Sequence, residues 1–553
     1  MLPAWPSPLL SWPGPETWDE LRSEVGERLL KVESPIKPCL EAPGSAACAE
    51  TLKNLRNPFA LEDDPGCTQS TGWLGAWTSS VSPYAVAIES PADVAAAVRF
   101  ARRHRVRLCI KGTGHCYLGR SNAPNSLLIW THRMREVSLH ERFVVAGGDG
   151  PGVPALSAQA GARWLEVYEA ASSIKRYAQG GGCTSVGAAG GHIQGSGFGS
   201  FSRRYGSSAS GVLEYEVVTA DGQVLTVNHL QHPDLFWALR GGGGATFGVV
   251  TRVTVLTHPL PERAGLVEGT ITASSDLAFR ELLKRFVAFF PTLVNHHWGE
   301  QIAVTGQNTL ELGLTFLDLT EAEARQAWQP LLDRLEGCQA EVRARELSVE
   351  HLWDADWFRQ RDPSFIVPDP RPGSPPSRYW WASNQGEVSA FINSYQSRWL
   401  PLRMVQGEPD RLAELLFEAS RHRAIHLHLN KGLANAHPEA TERTRQTSIH
   451  PAVFEAAALV IVASQQSNTF PGLPGHEPDL AAGRVAASKV KAAMDLIRRA
   501  TPGAGAYANE ADYFEPDWQT TFWGENYPRL LEVKRRYDPD NLFRVHHGVG
   551  SEG

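Results

Sequence analysis

No stretch of this 553-residue sequence reaches the roughly eighteen consecutive apolar residues that a membrane-crossing helix requires. A helical span is therefore excluded. The sequence also lacks a basic surplus: its formal charge is -7, and its lysines and arginines are scattered, which argues against nucleic acid as the main ligand. No internal repeat is present, so a repeat array is excluded as well. The opening MLPAWPSPLL has neither the basic region nor the long apolar core of a signal peptide. A cytoplasmic chain or a mature exported form both fit that start, and a secreted or periplasmic location is the expectation carried forward. Cysteine is sparse and odd in number: Cys39, Cys48, Cys67, Cys109, Cys116, Cys183 and Cys338 leave at least one without an intramolecular partner. Cys39 and Cys48, in a Pro/Gly/Ala-rich stretch, suit a short-loop disulfide of an oxidising compartment.

What is present points to a bulky small-molecule ligand. Fifty glycines let backbone come close to a guest, and 17 tryptophans supply broad flat contact surfaces. The length calls for two domains or one two-lobed unit. Oligomeric state is not legible.

Ser90, Pro91 and Asp93 form a helix start, and Val94, Ala97, Val98 and Ala101 follow at helical spacing. A strand over 106–110 then runs into KGTGHCYLGRS, residues 111–121. A second loop, 180–206, holds ten glycines in 27 positions, a density that no ordinary helix tolerates. Residues 213–227 alternate around Asp221-Gly222 and predict a hairpin. A short helix from Asp234, four glycines at 241–244 and a strand over 249–256 complete this half. After Pro261 alternating strands such as GLVEGTIT and LELGLTFLDL mix with helical windows such as ARQAWQPLLDRLEG, so a second, antiparallel α+β domain is expected. Residues 362–376 are Pro-rich and predict a surface loop. Near the C-terminus Asn526 is placed to cap a helix carrying Tyr527, Leu530 and Leu531 on one face, with Arg535 and Arg536 at its negative end.

Two glycine-rich loops at strand ends offer free backbone N–H groups, which can hold a pyrophosphate without dedicated cations. Gly195-Ser-Gly197-Phe-Gly199 breaks the G-x-G-x-x-G spacing and lies outside a strand-helix-strand unit, so a Rossmann site is not expected. GHCYLGRS, GGGCTSVGAAGGHIQGSGFGSFSRRYG, LRGGGGATFGVVT and YANEAD…FWGENYPRLLEVKRRYDPDNLF, in this order, resemble the vanillyl-alcohol-oxidase/PCMH flavoproteins, and within them the berberine-bridge-enzyme-like oxidases. The resemblance covers about residues 80–258 and 500–550.

It implies an α+β fold with a two-lobed PCMH-type FAD-binding domain and an inserted antiparallel-sheet substrate domain. The division is 1–258, 259–494 and a returning segment 495–553. It implies FAD bound bicovalently, through His115 at the 8α-methyl carbon and Cys183 at C6, an imidazole nitrogen and a thiolate being nucleophiles that suit an electrophilic flavin. It places Lys111, Gly112, Thr113, Gly114, Cys116, Tyr117 and Gly119 of the first loop on the cofactor. Gly182, Val186, Gly187, Gly190, Gly191, His192, Gly197 and Gly199 join from the second, with Gly248, Val249, Asn509 and Asn541. Cys116 stands where relatives commonly have Ser, and one residue is inserted before His192, whose donor or positive charge would stabilise reduced flavin. Val186 matches a position where Val accompanies oxygen reactivity; it also reads as plain core.

Tyr507 resembles the base of sugar-oxidising relatives, a role that needs a lowered pKa, and reads equally as a packed aromatic beside Asn509. Trp380, Trp381 and His428 are the substrate-facing candidates. His426 and His428 share a strand face but lack a third ligand, so no metal is expected. The expected reaction is hydride transfer from an alcohol, a sugar hemiacetal or secondary-metabolite hydroxyl, to FAD and then to O2, giving hydrogen peroxide. Oxidation at a C–N centre, oxidative cyclisation of an alkaloid- or polyketide-like molecule, a flavodehydrogenase and a non-catalytic flavin binder are the alternatives.

Overall fold

The computed structural model describes residues 12–295, 298–333 and 335–552; the opening decapeptide, with the targeting expectation built on it, lies outside them. Helix Pro91–His104 begins as its sequence requires: Ser90 Oγ accepts from the Asp93 N–H, and the Asp93 carboxylate accepts from the Ser90 N–H. Val94, Ala97, Val98 and Ala101 point inward and are fully buried. Arg105, in the left-handed region, ends the helix and turns the chain into strand Arg107–Lys111. That strand pairs in parallel with Ser126–Trp130, which pairs in parallel with Tyr84–Ala87. Loop 112–121 is thereby delivered to the carboxyl end of a parallel sheet, where open α/β sheets bind ligands.

Behind it lies a second, antiparallel sheet. Strands Val212–Val218 and Val224–Asn228 form the hairpin, and Val249–Pro259 joins them to Val153–Gln159. The third sheet has nine strands and dominates the other lobe. Helices Asp276–Asn295, Pro409–His422 and Leu480–Ala500 cover one face, burying Phe279, Leu283, Phe286, Leu416 and Met494 with sheet residues such as Ile302, Leu312 and Leu427. Each such side chain contributes about 1.5–3 kcal/mol of burial. The opposite face is left for the site. The architecture is α+β and two-lobed.

This sheet recruits strands from outside 259–494. Ser70–Trp73 pairs in parallel with Ala390–Pro401, and Trp77–Thr78 pairs with Ser70–Trp73, so residues 70–78 extend the sheet of the second lobe. Two local expectations are corrected. Asn526 sits at the start of helix Tyr527–Tyr537 but does not cap it; its amide donates to the Ile449 carbonyl instead. Within 362–376, Ile366–Pro368 is a strand paired with Tyr379–Trp381.

Cys39 and Cys48 are joined in a disulfide within a small apolar cluster that includes Leu55, Leu61 and Phe470. The other five cysteines are free. Replacing both bonded cysteines by serine is expected to lower stability by about 2–3 kcal/mol, since the closed loop is short. Urea unfolding of the variant against the parent checks this. No helix among the described residues is long and apolar enough to cross a membrane.

Candidate active site

A cavity of about 930 Å³ lies between the glycine-rich loops and the uncovered face of the nine-stranded sheet. One wall is largely backbone: residues 110–118, 120–121, 181–183, 186–187, 189–192, 198–201 and 244–245, with Gly248 and Val250, contribute. The second loop must double back on itself here, and a Cβ on Gly199 would sit on the Gly180 carbonyl oxygen. Gly182 and Gly191 face the opposite situation: a Cβ on either meets open space, so any side chain there would take up room in the cavity. Main chain therefore forms a cradle for a flat guest.

His115 and Cys183, 68 positions apart in sequence, meet on one hydroxyl. His115 Nε2 lies 3.0 Å from Ser185 Oγ, and Cys183 Sγ lies 3.6 Å from the same oxygen. Both residues line the cavity. Burial pushes the His115 imidazole down to about 4, so it is neutral at pH 7. Burial, then the Glu387 carboxylate, push the Cys183 thiol up to about 11, so it rests protonated rather than as the expected thiolate.

His192 is half-buried and its Nε2 lies 3.3 Å from the Phe198 carbonyl. Burial pushes it to about 4, so it offers the cavity a neutral imidazole and no positive charge. The Tyr507 hydroxyl accepts from the Gly197 N–H at 3.2 Å and from Asn509 Nδ2 at 3.0 Å. Asn509 also donates to the Gly191 carbonyl, which ties the returning C-terminal segment to the loop. Burial and the nearby Glu510 carboxylate raise the Tyr507 pKa, and the two donated hydrogen bonds do not reverse this. The lowered pKa that a tyrosine base needs is absent.

The opposing wall carries charge that no motif announced. Lys431 pairs with Glu510 at 2.5 Å. Glu300 accepts from Ser200, and Glu387 faces the cavity with no ion-pair partner within reach among the described residues. Burial and Glu510 push the Glu387 carboxyl up to about 7, with Lys431 opposing. Glu387 is in turn the main cause of the raised Tyr117 pKa. On strand Ile425–His428, Leu427 enters the apolar core while His428 lines the cavity, as period-two alternation requires. Asn430, almost fully buried on the same wall, has an Oδ1 without a hydrogen-bond partner.

Most of the residues singled out in the sequence converge here: Gly112, Thr113, Gly114, Cys116, Tyr117, Val186, Gly187, Gly190 and Gly248 line the cavity with those above, as does Trp381. Others do not. Gly119 backs onto the Trp77 ring and Gly197 onto His192. Val249 is buried between sheet and helix, and Asn541 donates to the Gly550 carbonyl. Trp380 packs against Phe59 and donates to Gln385, because its strand sends it away from Trp381. Lys111 borders the cavity, but its ammonium is spent on the carbonyls of Asp64, Pro65 and Cys67, and burial lowers it to about 8. Ser185, Glu300, Glu387, Lys431 and Glu510 were not picked out from the sequence. Glu510, directly after Tyr507-Ala-Asn509, was the one with a local signal.

The donor set fits a flavin dinucleotide: free loop amides, glycine positions open to a ring, and an imidazole and a sulfur beside one another. Among the described residues no group of three His, Cys, Asp or Glu side chains could hold a metal ion. Residues 82–228 match the FAD binding domain family model, and residues 506–550 match the model described as berberine and berberine like. FAD-linked oxidoreductase ZEB1 of Gibberella zeae is 30% identical, over 98% of this chain and 91% of its own. The crystal structure of the VAO-type flavoprotein MtVAO615 from Myceliophthora thermophila superposes with a TM-score of 0.78 at 27% identity, covering 100% of this chain and 98% of that one. Glucooligosaccharide oxidase from Acremonium strictum, described with a 6-S-cysteinyl, 8α-N1-histidyl FAD, shares the fold with a TM-score of 0.63 at 19% identity, covering 90% and 95%.

Proposed function

The chain belongs to the berberine-bridge-enzyme-like branch of the VAO/PCMH superfamily of FAD-linked oxidoreductases, and from that premise we propose that it is an oxidase carrying FAD on His115 and Cys183. The single observation that carries the reading is the meeting of those two side chains on Ser185 at the rim of a glycine cradle. Held by His115, Cys183 and the glycine loops, FAD would supply a hydride acceptor for the substrate carbon and a route for the electrons to O2 as hydrogen peroxide. The substrate is a molecule whose reacting carbon bears a hydroxyl. It enters against the sheet wall, where Trp381, His428 and Asn430 border it. Glu387 takes the hydroxyl proton: among the described residues its carboxyl has neither a partner cation nor a hydrogen bond, whereas Glu300 is held by Ser200 and Glu510 by Lys431, and its pKa near 7 balances base strength against availability. Tyr507, held by Gly197 and Asn509, keeps its own proton and donates a hydrogen bond to a substrate oxygen.

A second reading, oxidation at a C–N centre, has one observation in its favour. Glu300, Glu387 and Glu510 face the cavity against the ammonium of Lys431, a potential that suits a protonated amine. Released ammonia or amine, in place of a carbonyl product alone, would identify it.

Acid denaturation of the purified protein tests the cofactor assignment. All flavin is expected to stay with the polypeptide, His115→Ala and Cys183→Ala each to keep a single link, and the double variant to release everything. Free FAD from the denatured parent would refute it.

A further inference from the structure

Ser185 is almost fully buried and, unlike the two residues it touches, does not border the cavity. The same imidazole nitrogen is approached by Glu62, fully buried, whose Oε1 is 3.9 Å from His115 Nε2 and has no hydrogen-bond partner. The other carboxylate oxygen of Glu62 is held by Arg163 Nε, and Arg163 is also bound to Glu166 at 3.0 Å. Burial works against the Arg163 charge, but these carboxylates outweigh it and raise its pKa.

We propose that Ser185, backed by Glu62, is the positioning residue for flavin attachment, setting both His115 and Cys183 as nucleophiles through one hydroxyl. This rests on the bicovalent reading. A neutral imidazole carries one proton, and the acceptors beside Nε2, Ser185 Oγ and the unpartnered Glu62 Oε1, draw it to that nitrogen. Nδ1, which no hydrogen bond engages among the described residues, then holds the lone pair. With Oγ accepting from Nε2–H, the Ser185 hydrogen is free to point at Cys183 Sγ, where it opposes the burial that keeps the thiol protonated.

At His115 an Nδ1–C bond forms, one C–H bond of the flavin methyl breaks, and the Nε2 proton leaves on the Ser185 and Glu62 side. At Cys183 the S–H bond and the ring C6–H bond break and an S–C bond forms. Each link leaves two electrons in the flavin, and molecular oxygen removes them as hydrogen peroxide, one O2 per link.

Flavin-free protein, mixed with FAD in air, is quenched in acid at intervals, and FAD is located by intact mass and on the His115 and Cys183 peptides. Ser185→Ala is expected to slow attachment at Cys183 by about tenfold or more, the equivalent of one hydrogen bond to a charged sulfur, and to slow attachment at His115 as well. Ser185→Thr restores both. Glu62→Gln slows attachment at His115 and leaves Cys183 near the parent rate. Parent rates at both residues in Ser185→Ala would overturn the proposal. If that variant does not fold, a parent rate at His115 in Glu62→Gln would do so. A parent that forms no link at either residue would instead remove the bicovalent reading itself.

Discussion

Glu387→Gln is expected to lower kcat by about 10²- to 10⁴-fold, the range for loss of a general base, with flavin content unchanged. The amide keeps the shape and the hydrogen-bonding reach of the carboxyl but cannot take a proton. The pH profile supplies the sign. Glu387 has a pKa raised to about 7, so the base form is lost as pH falls through that value. Parent activity should therefore rise with pH between about 6 and 8, and the acid limb should disappear from the residual activity of Glu387→Gln. A variant with raised KM and parent kcat would show that Glu387 only binds substrate. Removing its charge also relieves the upward push on Cys183 and Tyr117, so the Cys183 thiol should alkylate faster in flavin-free protein.

Arg203→Ala is expected to destabilise the protein by about 3–5 kcal/mol, the cost of breaking a buried charged network. Arg203 is fully buried, and its guanidinium donates to the carbonyls of Val294 at 2.9 Å, Gly432 at 2.5 Å, and also Leu429 and Ala434. These acceptors belong to the lobe of the nine-stranded sheet, while Arg203 ends the second glycine-rich loop, so one side chain joins the two walls of the cavity. Burial alone lowers its pKa to about 9, which still leaves the guanidinium charged at pH 7. Lysine should not rescue, because a point ammonium cannot reach the four oxygens that the planar fork spans. Since a domain holds only about 5–15 kcal/mol in total, thermal unfolding should move down by many degrees, and parent-like melting of Arg203→Ala would contradict the role.

Particular elements show where the chain could be read in advance. The Ser90 to Lys111 helix and strand, the Asp221-Gly222 hairpin and the change of character after Pro261 are encoded between neighbours in sequence, by caps, periodicity and turn residues. The glycine loops and their four-motif order likewise announced the cofactor class, because backbone access to a ligand requires residues without side chains wherever the fold comes close.

The same locality explains what stayed hidden. Ser185 and Glu62 lie 123 positions apart, and Glu387 meets Lys431 and Glu510 only after the second lobe closes over the first. Trp380 and Trp381 are adjacent, and the pairing of one short strand decided which of them borders the cavity. Charge states were equally out of reach: Cys183, His192 and Tyr507 are set by desolvation, a property of surroundings and not of residue type. Chain-local chemistry thus determined the elements, the loops and the kind of cofactor, whereas long-range packing alone decided which acid stands free, which nucleophiles share a hydroxyl and which strands complete the wall.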